Sequence, residues 1–234
     1  MEQEVLCAAQ VMFALVSKLI YLEPTADDMR FYMEADLFSQ VPFGEDDPEV
    51  VTGLVQMQSW CLETSEDPDS FDSRLADLRR DQFQLFVGAG IPDAPSWAGY
   101  YLSTDSQILS EETLPVRRLY REFGLQMEHL NREPDDNLGI MLSFLAHLID
   151  IETDPIEPED KKQRAASAQQ ELLVERILPW LASWHYLVNK HARTEFYRGI
   201  GNVTFGLVRT YAQRFDIRYD SKDQRFVISA HTTV

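Results

Sequence analysis

At 234 residues, with 44% hydrophobic and 26% charged side chains, the chain has the make-up of a soluble globular protein with a sizeable core. Its net charge of −18 excludes the basic footprint that nucleic acid requires and leaves cationic partners or high solubility. Met1-Glu2-Gln3-Glu4 lacks the basic n-region of an export signal, and no apolar run approaches the roughly 20 residues of a membrane span. A cytoplasmic protein without stable membrane insertion is expected. Cys7 and Cys61 lie in apolar helical contexts and read as buried, reduced thiols.

Residues 4–21 predict an amphipathic helix with Leu6, Ala9, Met12, Phe13, Val16, Leu19 and Ile20 on its apolar stripe. Glu23-Pro24 ends it, and Thr25 caps a second helix running to Leu37. After a Pro/Gly/Asp loop at 42–48, a third helix from Pro48 to about Leu62 directs Val51, Leu54, Val55, Gln58 and Cys61 inward. Residues 23–72 hold fourteen acids against Arg30 alone, a composition whose ordinary meaning is a solvated face. A fourth helix starts at Asp67-Pro68 and reaches Phe86, burying Phe71, Leu75, Leu78, Gln82, Phe83 and Leu85.

Residues 86–102 contain Gly88, Gly90, Pro92 and Pro95, which predict a long shaped loop without a regular element. The loop carries Trp97, Tyr100 and Tyr101, aromatics that either plug a core edge or line a recognition groove; the residues alone favour the plug. A helix follows at 110–127, ended near Gly124. Asp135 reads as the N-cap, and Asp136 as a first-turn acid, of a core helix carrying Leu138, Met141, Leu142, Leu145 and Ile149, with His147 as a satisfied core histidine. The acidic, proline-containing stretch 151–158 is the best hinge. It divides a larger N-terminal part, 1–150, from C-terminal helices at 159–215 and a tail at 216–234. Pro179 must end or kink the helix that begins near 159. Two further helices, 189–198 and 200–215, are expected, and the tail reads as a short strand or an untied end. No stretch alternates well enough for a sheet, so the fold class is an all-α bundle of about eight to ten helices.

No catalytic constellation is visible. The histidines are scattered, no serine sits in a nucleophile elbow, and the acid pairs Asp27-Asp28, Asp46-Asp47 and Asp135-Asp136 are adjacent rather than one helical turn apart. No metal site or cofactor is expected.

Two pieces are more specific: Phe86-x-Gly-x-Gly with Ala94-Pro95-Ser96-Trp97-x-x-x-Tyr101-Leu102, and Glu133-Pro134-Asp135-Asp136-Asn137 with Leu142-x-Phe144-Leu145. In this order, in an acidic helical chain, they resemble the TorD/DmsD family of redox-enzyme maturation chaperones. The likeness extends through Leu178-Pro179-Trp180 and Phe196-Tyr197. The family's E-P-x-D-H motif is matched at Glu133, Pro134 and Asp136; Asn137 replaces its histidine, and Met141 replaces the glutamate usual four residues later.

The resemblance implies a non-enzymatic chaperone that binds the twin-arginine signal peptide, or the apo form, of a dimethyl-sulfoxide- or trimethylamine-oxide-reductase-type molybdoenzyme. It would hold that client until the cofactor is inserted, before Tat export. On this reading Glu133 and Asp136 meet the arginines, with Pro134 and Asn137 also in the signal-peptide site, and Phe86, Trp97, Tyr100 and Tyr101 line a groove for the apolar segment. A helical interaction module with another client, or a metal-dependent enzyme using the paired acids, are the rivals. The 151–158 hinge leaves open a monomer or a dimer with exchanged C-terminal helices.

Overall fold

The computed structural model describes residues 1–102, 113–125 and 135–228. Its helices are α1 (Gln3–Tyr21), α2 (Ala26–Glu34), α3 (Pro48–Glu66), α4 (Phe71–Gln82), α5 (Ala98–Leu102), α6 (Thr113–Glu122), α7 (Leu138–Thr153), α8 (Glu159–Glu171), α9 (Leu178–His191) and α10 (Glu195–Ala212). A hairpin of β1 (Ile217–Asp220) and β2 (Arg225–Ile228) follows. The all-α architecture agrees with the sequence, the hairpin being its single small sheet among the described residues.

Local chemistry starts several of the helices. Thr25 Oγ1 accepts the Asp28 N–H at 3.1 Å, Asp47 accepts those of Glu49 and Val50, and Thr194 Oγ1 accepts that of Tyr197 at 3.2 Å. Pro48 follows Asp47 at the first position of α3, where no N–H is missed. Gly124, with φ +75°, ends α6 as its position predicts.

Two helix pairs build the core: α3 against α10, and α1 against α7, with α10 also packing on α9 and α1, and α8 on α7. The α3–α10 crossing is close enough that a Cβ on Gly53 would lie 2.5 Å from the Gly199 carbonyl oxygen, and the reverse substitution is equally tight. This crossing corrects two expectations. The helices expected at 189–198 and 200–215 are not divided there: α9 ends at His191 and α10 is continuous from Glu195 to Ala212 through Gly199. The buried face of α3 is Val50, Gly53, Leu54, Met57 and Cys61, while Val51 and Val55 point outward, because the glycine contact fixes the helix rotation.

Other boundaries move for similar reasons. The second helix stops at Glu34, where Asp36 turns into a left-handed conformation (φ 47°). A π-helical turn at Phe83–Val87 ends the fourth helical stretch and leaves Phe83 exposed. The helix from Glu159 widens into another π-helical turn at Leu172–Ile177, just before Pro179. Cys61 is buried, but Cys7 is exposed on the outer face of α1.

α1 is, by length and apolar composition, long enough to cross a membrane, which corrects the expectation that no such run exists. Its Leu6, Phe13, Val16 and Ile20 are buried, with α7 and α10 packed against the helix. Residues 154–158 make a tight turn in which the Asp154 carboxylate accepts the Ile156 N–H at 2.8 Å. The hydrophobic cluster runs unbroken from Leu6 to Ile217. The tail forms the hairpin because Tyr219 and Phe226 pack on Phe205, at ring-centroid distances of 5.0 and 6.0 Å.

Candidate functional site

The two sequence motifs meet in space. The π-helical turn closes when the Gly88 N–H donates to the Phe83 carbonyl, and Gly88 leaves it at φ +65°. The chain then folds back, the N–H groups of Asp93 and Ala94 donating to Gln84 and Leu85 at 2.9 Å each. Ser96–Ala98 next runs extended beside Asp136–Leu138, with the Ala98 N–H donating to the Asp136 carbonyl at 3.1 Å and the Leu138 N–H to that of Ser96 at 2.6 Å.

The acids of the second motif hold this junction. Asp136 Oδ2 accepts the Gly99 N–H at 2.7 Å, so this fully buried carboxylate caps the first turn of α5, not the helix that follows it. Asp135, also fully buried, is ion-paired with Arg117 of α6, and its carbonyl accepts the Tyr120 hydroxyl at 2.9 Å. Burial, with Asp135 and Asp136 nearby, pushes the Tyr120 hydroxyl well above its ordinary pKa and keeps it a donor. The N-cap of α7 is Asn137, whose Oδ1 accepts the Gly139 N–H at 2.9 Å; Asp135 does not serve that role. Met141 is fully buried, a place where a lone carboxylate would be costly.

The aromatics largely plug the core. Phe86, 5% exposed, stacks on Trp184 at 5.9 Å and meets Tyr197 edge-on. Trp97 is 7% exposed, and its indole N–H is buried without a hydrogen-bond partner. Tyr101 stacks on Trp180 at 4.9 Å, with Tyr100 edge-on against it; both are half-buried. Trp184 Nε1 donates to Ser96 Oγ at 3.3 Å and ties α9 to the loop. The expectation that residues 86–102 lack a regular element is corrected by α5, which the distant Asp136 cap makes possible. Glu133 and Pro134 lie outside the described residues.

Beside the junction a groove of about 690 Å³ opens between α1, α6 and the first half of α7. Leu22, Tyr120, Leu125, Ile140, Phe144 and His147 line it. His147 is therefore a half-exposed groove residue against Phe144, not the core histidine its apolar helix predicts. No local pattern marks the groove, because one wall is α1 and the other comes from residues 120–147, about a hundred positions later.

The paired acids are occupied differently from a metal pair. Asp28 meets Lys18 and Thr25, Asp47 meets Arg209, and Asp135 meets Arg117. Among the described residues no three His, Cys, Asp or Glu side chains come together in a group that could hold a metal ion.

The fold is an all-α bundle with an apolar groove beside two interlocked motifs. The profile of the nitrate reductase delta subunit family matches residues 44–185, and the chain belongs to that family, of the TorD/DmsD type that the paired motifs resemble. It is 27% identical over 120 residues to the Tat proofreading chaperone DmsD of Salmonella typhimurium, covering 51% of this chain and 53% of that protein. It is 29% identical over 129 residues to the chaperone protein TorD of Vibrio vulnificus (55% and 59%) and 28% identical over 177 residues to TorD of Vibrio cholerae (72% and 74%). The chain thus spans about half the length of the DmsD relative.

Proposed function

We propose that the protein is a non-enzymatic chaperone for the maturation of a molybdopterin oxidoreductase. In the cytoplasm it binds the twin-arginine leader, or the apo form, of a client of the dimethyl-sulfoxide- or trimethylamine-oxide-reductase type. It retains that client until the cofactor is inserted.

The observation that carries this reading is the apolar groove of about 690 Å³ lying against the first turns of α7, next to Asn137 and the second motif. A leader is disordered when free and carries arginines ahead of an apolar segment, so it gains most from a preformed apolar trough with acid at one end. Phe86, Trp97 and Asp136 are buried and act as framework. Tyr100, Tyr101 and Asn137 are half-exposed and available to a client, with Glu133 and Pro134 shortly before Asn137 in sequence. The net charge of −18 speeds encounter with a cationic leader and makes affinity fall with salt.

Titration with a synthetic twin-arginine leader, beside versions carrying two lysines or two alanines, tests the reading. Binding in the order arginine, lysine, alanine is expected. Equal affinity for all three would sink it, and capture of an unrelated client from a lysate would favour the plain interaction module.

A further inference from the structure

On the reading of the chain as a leader-binding chaperone, we propose that the α1–α7 groove holds the client's apolar segment. Asp28, at the groove's acidic end, takes one of the client's guanidinium groups by releasing Lys18.

Asp136 is poorly placed for an arginine. It is fully buried, and its carboxylate holds the Gly99 N–H that starts α5, so meeting a client would unmake that cap. The accessible acids near the groove are elsewhere. Lys18 and Leu22 line the apolar groove and also an adjoining cleft formed with Glu23, Asp28 and Tyr32. That cleft is small, about 10 Å³ with Lys18 in place, so a guanidinium reaches Asp28 from the groove only when Lys18 moves out. Asp27, next to Asp28 in the chain, is exposed, and the Glu23 side chain is 65% exposed although it meets Arg79 at 3.1 Å. The α1 carbonyls end at the same place, adding the negative pole of a 19-residue helix.

Asp28 already holds a cation. Lys18 Nζ lies 2.5 Å from Asp28 Oδ1, and Thr25 Oγ1 donates to Oδ2 at 2.8 Å. Lys18 is a point charge on a flexible stem with a 42% exposed side chain, held by Asp28 and by the nearby Tyr32 hydroxyl, with water open beside it. A guanidinium offers a planar fork that a carboxylate receives through two parallel hydrogen bonds, and it is less strongly hydrated than an ammonium. Exchange of Lys18 for a client arginine thus replaces a monodentate contact with a bidentate one. Lys18 acts as a placeholder that keeps Asp28 paired and selects for arginine over lysine.

Calorimetric titration of the full chain at low salt with a twin-arginine leader peptide, and with its two-lysine counterpart, tests the proposal. Asp28→Asn should weaken the arginine peptide at least tenfold and the lysine peptide much less. Lys18→Met should tighten binding several-fold. Ser143→Phe, which puts a ring into the groove from an exposed position, should weaken both peptides. Melting curves establish that each variant is folded, and Lys18→Met, which leaves the carboxylate in place, carries the test of the exchange if Asp28→Asn is not. Wild-type binding left unchanged by Asp28→Asn and Ser143→Phe would overturn the placement while leaving the chaperone reading intact. Weaker binding by Lys18→Met would overturn the exchange. Failure of the wild-type chain to bind any leader would instead remove the chaperone reading itself.

Discussion

The carboxylate of Asp136 accepts the backbone N–H of Gly99 at 2.7 Å, joining two motifs that lie 37 residues apart. This one bond caps α5, orients Tyr100 and Tyr101, and fixes where the chain enters α7. Asp136→Ala removes a buried acceptor and leaves the Gly99 N–H unsatisfied, a loss of about 1–3 kcal/mol. A fall in melting temperature of roughly 2–4 °C per kcal/mol follows for a chain of this size. Asp136→Asn, which keeps an oxygen acceptor, should lose less. An unchanged melting temperature in the alanine variant would show that Asp136 is not a framework residue.

Asn137 illustrates how a departure from the family motif is accommodated. Its Oδ1 caps α7, so Asn137→Ala should cost about 1 kcal/mol in urea unfolding, whereas Asn137→Asp or Asn137→Ser should be close to neutral. Equal losses for all three would argue against the capping role.

The α3–α10 crossing depends on missing side chains. A Cβ at Gly199 meets the Gly53 carbonyl at 2.5 Å and Met57 Cγ at 2.8 Å, and the first of these is backbone that cannot turn aside. Gly199→Ala should destabilise by about 1–3 kcal/mol despite the better helix propensity of alanine. A stabilised variant in thermal melting would mean that the helices separate freely.

Arg209 locks the start of α3 to α10. Its Nε and Nη2 each donate to the Asp47 carboxylate at 2.7 Å, and it also pairs with Glu49. Burial pulls the Asp47 pKa up, but Arg209 and the N–H groups of Val50 and Glu49 outweigh it and hold the carboxyl below its ordinary value. Removing the arginine leaves a buried, unpaired charge, so Arg209→Ala should cost on the order of 3–5 kcal/mol. The wild-type contribution is present above the ordinary carboxylate pKa and is lost as pH falls through the lower folded value. Acid unfolding of Arg209→Ala should therefore begin at a higher pH than that of the wild type.

His185 gives the chain a second, milder acid sensitivity. It stacks on Phe205 at 4.4 Å, and its Nε2 lies 2.8 Å from Asn202 Oδ1. Asn202 also accepts from Asn189 and donates to Gln56, so Nε2 is the protonated nitrogen. Burial pushes the pKa of His185 below 6.5, with Arg209 adding to the effect against the Asn202 bond and Glu49. A depressed histidine leaves the unfolded chain binding more protons, so stability is full above pH 6.5 and declines as pH falls through that value toward the folded pKa. His185→Gln should flatten the decline between about pH 7 and 5 in urea midpoints. An equally steep decline in the variant would assign it to other groups.

Much of the helical plan was legible because its signals are local. The apolar spacing of Leu6 to Ile20 or Leu138 to Ile149, the caps Thr25 and Asp47, and Pro48 and Gly124 act within one helical turn of themselves. The class of fold and the family resemblance followed from such patterns. Where two local choices competed, the sequence was ambiguous. Asp135, Asp136 and Asn137 are all good cap residues, and only the arrival of Arg117 and Gly99 assigns each its partner. The rotation of α3, the unbroken α10, the burial of Trp97 and the apolar groove depend on contacts between residues tens to hundreds of positions apart, and no short-range pattern records them. The sequence by itself determined the all-α class, most of the long helices and the net acidity of the chain. The tertiary structure decided which acids are buried and paired and which stay exposed, because burial and pairing are properties of neighbours in space.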